Sequence, residues 1–232
     1  MKTALITGAN RGIGLEFCKQ YAAEDWRILA CTRHPEKSDA LNTLATAYPG
    51  QVTVHALDVV DHAQIEGLAQ SSGSEPIDLL LNNAGIYTGS HAGAFDSIDY
   101  EAWAYEFRVN TMATLKMAQT FNAHVARSSQ KMIVTISSKM GSIAENDSGG
   151  SYLYRSSKAA VNMVIKSLAI DLKPAGIIAV VLHPGWVQTD MGGKNALIST
   201  AKSVSGMRRV IGGLTLADSG KFIAYDGQPI PW

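Results

Sequence analysis

The sequence predicts a single α/β domain, built on a doubly wound parallel sheet of about seven strands with helices on both faces. Apolar runs of strand length alternate along the chain with segments of helical period, as in folds made of repeated β-α units. Several runs, among them 133–136 and 177–182, have almost no polar alternate face, which indicates strands buried on both sides of a parallel sheet. Since no Pro- or Gly-rich linker interrupts the 232 residues, we expect one domain over 1–232.

The individual elements follow from the same patterns. Strands are predicted at 3–7, 27–32, 52–57, 77–81, 132–137, 177–182 and 221–225, and helices at 13–24, 62–70, 100–127 and 152–173. The segment 185–213 has the least regular pattern and is rich in Gly, Ser and Thr. Because a long unpatterned segment inside a compact domain is usually functional, residues 186–213 are predicted to form a substrate lid.

Composition and charge exclude several classes of function. Lys and Arg total 20, as do Asp and Glu, so the neutral chain has no electrostatic basis for binding nucleic acid or an anionic membrane. No apolar run approaches the roughly 20 residues that span a bilayer, and Gly8 ends the first apolar run too early for a signal peptide. We therefore expect a cytoplasmic protein. Neither the cysteines nor the histidines show the spacing of metal ligands, so we expect no metal, and we expect Cys18 and Cys31 to fill the core.

The segment 7–14, Thr-Gly-Ala-Asn-Arg-Gly-Ile-Gly, follows the first predicted strand and opens the first helix. Glycine is needed at such a turn because the backbone must approach a pyrophosphate with no Cβ in between, while free N–H groups at the helix N-terminus bind the anion. The pattern predicts a dinucleotide site, and a merely tight turn is the alternative. The expected contacts come from Gly8, Asn10, Arg11, Gly12, Ile13 and Gly14.

The end of the second predicted strand indicates which dinucleotide binds. Arg33 and His34 stand where an acidic residue would hold the ribose 2′-hydroxyl of NAD, and no carboxylate occurs before Glu36. Arg33 can form paired hydrogen bonds to a 2′-phosphate, and Arg11 can reach the same group from the glycine turn. Two cations at these places favour NADP over NAD.

A candidate catalytic group lies further along the chain. Tyr154 and Lys158 are four residues apart on one face of a predicted helix, where the lysine charge can favour the phenolate that a base requires. Ser138 follows a buried strand at the edge where open α/β sheets bind ligands, so its hydroxyl can contact a substrate oxygen. Asn110, a polar residue beside apolar ones, either satisfies a backbone group or holds a water. Together these residues predict proton transfer to or from a substrate oxygen.

These motifs occur together in a known family. The chain resembles the short-chain dehydrogenase/reductases of the smaller class over nearly its whole length. The matching motifs stand in the family's order: the glycine turn, Asp58-Val59, Asn82-Asn83-Ala84-Gly85, Asn110, Ser138, the Tyr154–Lys158 spacing and Pro184-Gly185. The segments 182–193 and 228–232 are similar to the C-factor and sniffer-type carbonyl reductase branch. The resemblance implies a Rossmann-like fold and an NADP-dependent oxidoreductase that interconverts a small carbonyl compound and its alcohol.

The resemblance also implies a role for each matching residue. Tyr154 would protonate the carbonyl oxygen and Ser138 would polarise it. Lys158 would bind the nicotinamide ribose and lower the pKa of Tyr154, and Asn110 would hold a water of the proton path. Asp58 would contact the adenine with Val59 beside it, Asn83, Ala84 and Gly85 would pass along the cofactor, and Thr189 would contact the carboxamide, with further cofactor contacts from Pro184, Gly185 and Val187. Candidate walls of the substrate site are Met140, Tyr152, Trp186 and Met207, and His183 is expected to be structural.

Two other functions remain open, and one expectation concerns assembly. The main alternative is an NADPH-binding signalling or regulatory protein of the C-factor type, while a serine hydrolase is weaker because no G-x-S-x-G motif occurs. The predicted helices 100–127 and 152–173 carry apolar residues on more than one face, and a sheet can cover only one of them. We therefore expect a homodimer or homotetramer, with a monomer as the alternative.

Overall fold

Seven parallel strands form the centre of the fold in the computed structural model, which describes residues 1–89 and 95–232. They are β1 (Thr3–Thr7), β2 (Arg27–Thr32), β3 (Val52–Ala56), β4 (Leu79–Asn82), β5 (Met132–Ile136), β6 (Ile178–His183) and β7 (Phe222–Ala224). Their order in the sheet is β3-β2-β1-β4-β5-β6-β7, with every neighbouring pair parallel. The winding reverses between β1 and β4, so a crevice is left at the carboxyl ends of these two strands.

Helices cover both faces of the sheet, as the sequence predicts. They are α1 (Gly12–Ala22), α2 (Asp39–Ala47), α3 (His62–Ser71), α4 (Tyr100–Phe107), α5 (Ala113–Arg127), α6 (Tyr152–Asp171) and α7 (Thr200–Gly212). One hydrophobic core lies on each face of the sheet, and neighbouring residues of a strand belong to different cores. Leu5 and Leu80 pack with α3, α5 and α6, whereas Ile6 and Leu81 pack with α1, α2 and α7. Both faces of the central strands are therefore buried, which explains their continuous apolar sequence.

The sequence predicts no helix within 185–213, but α7 occupies the second half of this segment. Its pattern is hard to see because two of the residues that face the core, Ser203 and Gly206, are polar or lack a side chain. Gly206 is needed at this place, since a Cβ there would lie 2.4 Å from the carbonyl oxygen of Tyr225. Because α7 packs into the core, the lid over 186–213 stays a prediction, and we carry it forward as a proposal for 186–199 only.

The helix predicted over 100–127 is interrupted by a π-helical turn at Arg108–Met112. The N–H of Ala113 donates to the carbonyl of Arg108, five residues back. Side chains of this turn bond to α6: Asn110 Nδ2 donates to Ser157 Oγ at 3.0 Å, and Thr111 Oγ1 donates to the Ser157 carbonyl at 2.8 Å. Such turns occur frequently at functional sites, and a pattern of apolar residues does not distinguish them from an α-helix.

Two smaller features complete the fold. Cys18 and Cys31 are free and buried in the core, as expected. Within the parts of the chain that the structure describes, none of the helices combines the length and the hydropathy needed to cross a membrane.

Candidate active site

A cavity of about 670 Å³ occupies the crevice at the carboxyl ends of β1 and β4, a volume in the usual range of ligand sites. It extends from the end of β2, past the glycine turn, to Tyr154 and Lys158 on α6. Most residues that the sequence predicts for the site line it: Gly8, Asn10, Arg11, Gly12, Ile13, Gly14, Arg33, Asp58, Val59, Asn83, Ala84, Gly85, Tyr154, Lys158, Pro184 and Thr189.

Four of the predicted catalytic and cofactor residues lie just outside this cavity, and the candidate wall residues Met140, Tyr152 and Trp186 do not line it either. Asn110 is buried behind Gly85, where a Cβ would lie 3.2 Å from Asn110 Oδ1. Ser138 forms a hydrogen bond with Tyr154 instead. Val187 is buried and pairs with Ile198 in a β-bridge, and Gly185 also packs against Ile198. Gly185 and Val187 therefore shape the loop after β6 rather than face the cavity.

The sequence analysis missed several residues of the lining. Lys37, four residues after Arg33, adds a third cation to the wall near the end of β2, and its spacing from Arg33 could have indicated this. Tyr105 and Ser137 also line the cavity. The buried Ser137 Oγ has no hydrogen-bond partner among the described residues. No sequence motif marks Tyr105 or Ser137, because only the packing of α4 and β5 brings these two residues to the cavity.

The glycine turn has the geometry that a phosphate site needs. Gly8 and Gly12 have φ of +65° and +55°, the left-handed region that favours glycine. A Cβ on Gly14 would lie 2.2 Å from the carbonyl oxygen of Gly8, so any other residue would force the turn apart. α1 then begins after Arg11 with no side-chain cap and no acid in its first turn. Its first N–H groups and the positive end of its dipole are therefore directed at the cavity.

Hydrogen bonds lock the ends of β1 and β4 together beneath this turn. Thr7 Oγ1 accepts the N–H groups of Asn83 and Ala84, both at 3.0 Å. In return Asn83 Nδ2 donates to the carbonyls of Thr7 at 2.8 Å and Gly8 at 3.2 Å. The floor of the cavity is thus held rigid by side chains from both strands that border the crevice.

Cations surround the end of the cavity next to β2. Arg33 and Lys37 are exposed and line it. Arg11 lines it too, but its guanidinium forms an ion pair with Asp190 in the loop after β6. The contact between Arg11 and a phosphate that the sequence predicts therefore competes with this pair. Arg33 and Lys37 form no ion pair within the described chain, so they are the better candidates for a bound anion.

Tyr154 and Lys158 lie together on α6, with Lys158 Nζ 5.7 Å from the centre of the Tyr154 ring. Lys158 is buried, and its Nζ donates to the carbonyl of Ile136 at 3.2 Å. Ser138 reaches the pair from the end of β5, and its Oγ accepts the N–H of Met140 at 3.1 Å. The structure therefore brings together the serine, tyrosine and lysine that the sequence predicts.

Burial changes the proton affinities of both groups. Desolvation lowers the pKa of Lys158 to about 8, and the charge of Glu106 partly opposes this. Desolvation raises the pKa of Tyr154 well above its usual value, and the hydrogen bond with Ser138 only partly offsets this. The sequence predicts that Lys158 lowers the pKa of Tyr154. In the protein without cofactor, desolvation outweighs any such effect, so Tyr154 keeps its proton.

Two residues near the site are structural. The Nδ1 of His183 accepts the N–H of Lys139 at 3.2 Å, and burial followed by the nearby Lys139 charge lowers its pKa to about 4. His183 is therefore neutral near neutral pH, in agreement with the structural role expected. Met207, a candidate substrate wall, is fully buried in the core beside α1 and the sheet, so that expectation is wrong.

Comparison with known proteins agrees with this site. The sequence profile described as short chain dehydrogenase matches residues 2–197. The chain belongs to this family. A curated relative, C-signal of Myxococcus xanthus, is 43% identical over 157 residues, which cover 68% of this chain and 93% of that protein.

Solved structures of this dehydrogenase/reductase fold are similar along the whole chain. The carbonyl reductase Sniffer of D. melanogaster superimposes with a TM-score of 0.92 at 30% identity, covering 100% of both chains. The NADPH-bound carbonyl reductase from chicken fatty liver gives 0.91 at 33% identity, covering 100% of this chain and 99% of that one. The protein is thus a short-chain dehydrogenase/reductase, an oxidoreductase with the predicted fold.

Proposed function

We propose that this short-chain dehydrogenase/reductase is an NADP-dependent enzyme that interconverts a small carbonyl compound and its alcohol, with Tyr154 as proton donor or acceptor. The observation that carries the proposal is that one cavity joins the glycine turn to Tyr154 and Lys158. A dinucleotide lying along it would have its phosphates at α1 and its nicotinamide beside the catalytic pair. The similar solved proteins, both carbonyl reductases and one NADPH-bound, support the same reading.

The residues present fit NADP, which when bound supplies or accepts the hydride. The uncapped start of α1 suits the pyrophosphate, and Arg33 and Lys37 suit a 2′-phosphate. We assign Asp58 and Val59 to the adenine end, and Thr189, which packs against Gly12, to the nicotinamide end. The further contacts are assigned to the remaining predicted residues of the lining, Asn83, Ala84, Gly85 and Pro184.

The proton steps follow from the states of the two titrating groups. Tyr154 keeps its proton at neutral pH, so in the reductive direction it donates to the carbonyl oxygen, where negative charge develops. We assign Ser138, a hydrogen-bond partner of Tyr154, to the orientation of that oxygen. Lys158, charged below about pH 8, stabilises the phenolate that remains on Tyr154. In the oxidative direction Tyr154 takes the proton back.

Asn110 has a positioning role in this scheme. Its Oδ1 accepts the N–H of Ile86 at 2.9 Å, and its Nδ2 donates to the Ile86 carbonyl and to Ser157 Oγ, both at 3.0 Å. Both amide hydrogens and one lone pair of the oxygen thus hold the loop after β4 against α6. The water path that the family resemblance implies at Asn110 stays a prediction.

We also propose that residues 186–199 act as the substrate lid. Trp186 and Met191 are about half exposed there, and Trp186 Nε1 donates to the Gly192 carbonyl at 2.8 Å. Asp190 of the same segment pairs with Arg11 across the mouth of the cavity. A purely regulatory role is disfavoured, because the serine, tyrosine and lysine that catalysis needs are all in place.

Oxidation of NADPH in the presence of a panel of small aldehydes, ketones and quinones tests the function. We expect turnover of at least one of them, and a loss of roughly 10²–10⁴-fold in Tyr154→Phe, because the phenol supplies the proton but does not hold the cofactor. NADPH fluorescence should show unchanged binding to that variant. Tyr100→Phe at the start of α4, a residue that is 71% exposed, is the matched control and should keep its activity. Retained turnover in Tyr154→Phe would refute the assignment.

A further inference from the structure

Glu106 is a carboxylate in an unusual place, since it is completely buried on α4. One oxygen, Oε1, accepts both the N–H of Thr88 at 2.7 Å and the Thr88 hydroxyl at 2.6 Å. The other, Oε2, has no partner among residues 1–89 and 95–232. A buried carboxylate with no directly paired cation is costly to maintain, and the proposed proton steps leave this one unused.

The position of Glu106 on α4 directs it toward the catalytic turn of α6. Trp103, three residues earlier, donates from Nε1 to Ser156 Oγ at 2.8 Å. Asn110, four residues later, donates to Ser157 Oγ at 3.0 Å. Residues three apart share one face of an α-helix, so Glu106 lies with Trp103 on the face of α4 that contacts α6 between Tyr154 and Lys158.

A second connection runs through the loop that follows β4. Thr88, held by Glu106, is preceded by Tyr87, whose ring packs edge-on against the Tyr154 ring with centroids 5.0 Å apart. Tyr87 Oη also lies 3.4 Å from Ser151 Oγ, just before α6. Glu106 therefore anchors the piece of chain that places an aromatic wall against the proton donor.

The negative charge acts on both catalytic groups in the same direction. It favours the charged form of Lys158 and disfavours the phenolate of Tyr154, so it raises the pKa of each. Tyr87 is the other titratable group that raises the pKa of Tyr154.

The remaining charged groups near this turn are directed elsewhere. Arg155 donates to the Gly149 carbonyl and to Ser148, Arg108 is exposed, and Lys139 is paired with Glu145. Glu106 is thus the buried charge that faces the catalytic pair within the described chain.

We propose that Glu106 is a positioning residue for carbonyl reduction, whose buried carboxylate, held by Thr88 on the face of α4 toward α6, is the electrostatic partner of Tyr154 and Lys158. The inference rests on the proposed function for its catalytic meaning, because reduction needs a protonated Tyr154 and a charged Lys158. Since both groups lose their protons as pH rises, Glu106 sets the alkaline limit of the reaction. Removal of its charge moves that limit to lower pH.

The experiment separates charge from anchoring with two variants. Glu106→Gln keeps an oxygen that can accept both Thr88 donors but removes the charge, whereas Thr88→Val removes the hydroxyl and keeps the charge. In the cofactor-free protein, NMR of lysine labelled at Cε follows the titration of Lys158, with its signal identified by its loss in Lys158→Met. We expect Glu106→Gln to lower the midpoint by about one pH unit and Thr88→Val to leave it in place.

The same variants are then assayed with NADPH and the most active carbonyl compound of the panel. Glu106→Gln should be close to wild type below neutral pH, with the alkaline limb of kcat/KM displaced downward by about one pH unit. Glu106→Asp, which keeps the charge, should restore the limb even if turnover is reduced. An unmoved Lys158 titration in Glu106→Gln, or an equal displacement in Thr88→Val, would overturn the proposal. Because the titration needs no substrate, it stays informative even if Tyr154→Phe refutes the function.

Discussion

Lys158 shows how strongly burial changes a single side chain in this fold. Its Nζ bonds to the carbonyl of Ile136, and desolvation brings its pKa from the ordinary lysine range to about 8. A Cβ on Gly85 would lie 3.4 Å from this nitrogen, so the glycine leaves the lysine open to the cavity. Lysine is the residue suited to this task, because its charge is compact and its pKa shifts readily on burial.

Arg33 carries the prediction of cofactor choice. Because its guanidinium can form charge-assisted hydrogen bonds to a 2′-phosphate, NADPH should bind more tightly than NADH by on the order of 1.5–3 kcal/mol. Arg33→Ala should weaken NADPH and leave NADH unchanged, as measured by fluorescence titration of both reduced cofactors. Arg127→Ala, an exposed arginine at the end of α5, is the control. Equal dissociation constants for the two cofactors in the wild-type protein would contradict the prediction.

The turn at Lys139–Gly141 packs closely against α6. A Cβ on Gly141 would lie 2.7 Å from the backbone carbon of Lys158, and Asn162 Nδ2 donates to the Gly141 carbonyl at 3.1 Å. The turn that follows Ser138 therefore touches the backbone of the catalytic helix directly. The relative placement of Ser138, Tyr154 and Lys158 depends on this close approach.

Gly141→Ala should disturb that approach. The added methyl group must push α6 away, so we expect the free energy of unfolding to fall by about 1–3 kcal/mol and reductase activity to fall with it. Gly67→Ala is the matched control, because Gly67 lies in α3 with no atom within 4 Å of an added Cβ. This control should gain roughly 0.5–1 kcal/mol from the better helix propensity of alanine. Urea unfolding measures both, and a Gly141→Ala protein as stable as wild type would argue against the tight contact.

The apolar residues of α6 are only partly buried within one chain. Of the apolar residues on α6, Val161, Ile165 and Leu168 are buried within the chain, whereas Met163 and Ile170 are 66% and 64% exposed. The two exposed residues are seven apart and so share one face of the helix. The apolar strip is narrower than the sequence predicts, but it still leaves a surface on which a second copy could pack.

We predict that the protein forms a homodimer or homotetramer through this face of α6. Light scattering should give two or four times the 24.8 kDa of one chain, and Met163→Lys combined with Ile170→Lys should reduce the mass, because buried charges would oppose the contact. Leu197→Lys, at an exposed apolar residue outside the helices, is the control and should leave the mass unchanged. A wild-type mass of one chain at micromolar concentration would exclude assembly.

The strands of the sheet and most residues that line the cavity could be predicted from the sequence alone. Thr3–Thr7 and Arg27–Thr32 were predicted at their observed bounds, because strands buried on both faces must be apolar throughout. The glycine turn could be read because its backbone tolerates no Cβ at Gly14. The spacing of Tyr154 and Lys158 was readable because one helical turn is a local geometry. Such features depend on neighbours in the chain, so the sequence carries them directly.

Contacts between segments that are distant in the chain could not be predicted, because they form only when the chain folds. In the π-helical turn, Asn110 and Thr111 bond to Ser157, which is 47 and 46 residues away in the chain. Arg11 pairs with Asp190 across 179 residues, so its availability to a phosphate cannot be judged from the turn that contains it. Glu106 follows the same rule, since a surface carboxylate and a buried one look alike in sequence. Its burial, and hence its effect on the catalytic pair, arises only when α4 packs against α6 and the loop after β4.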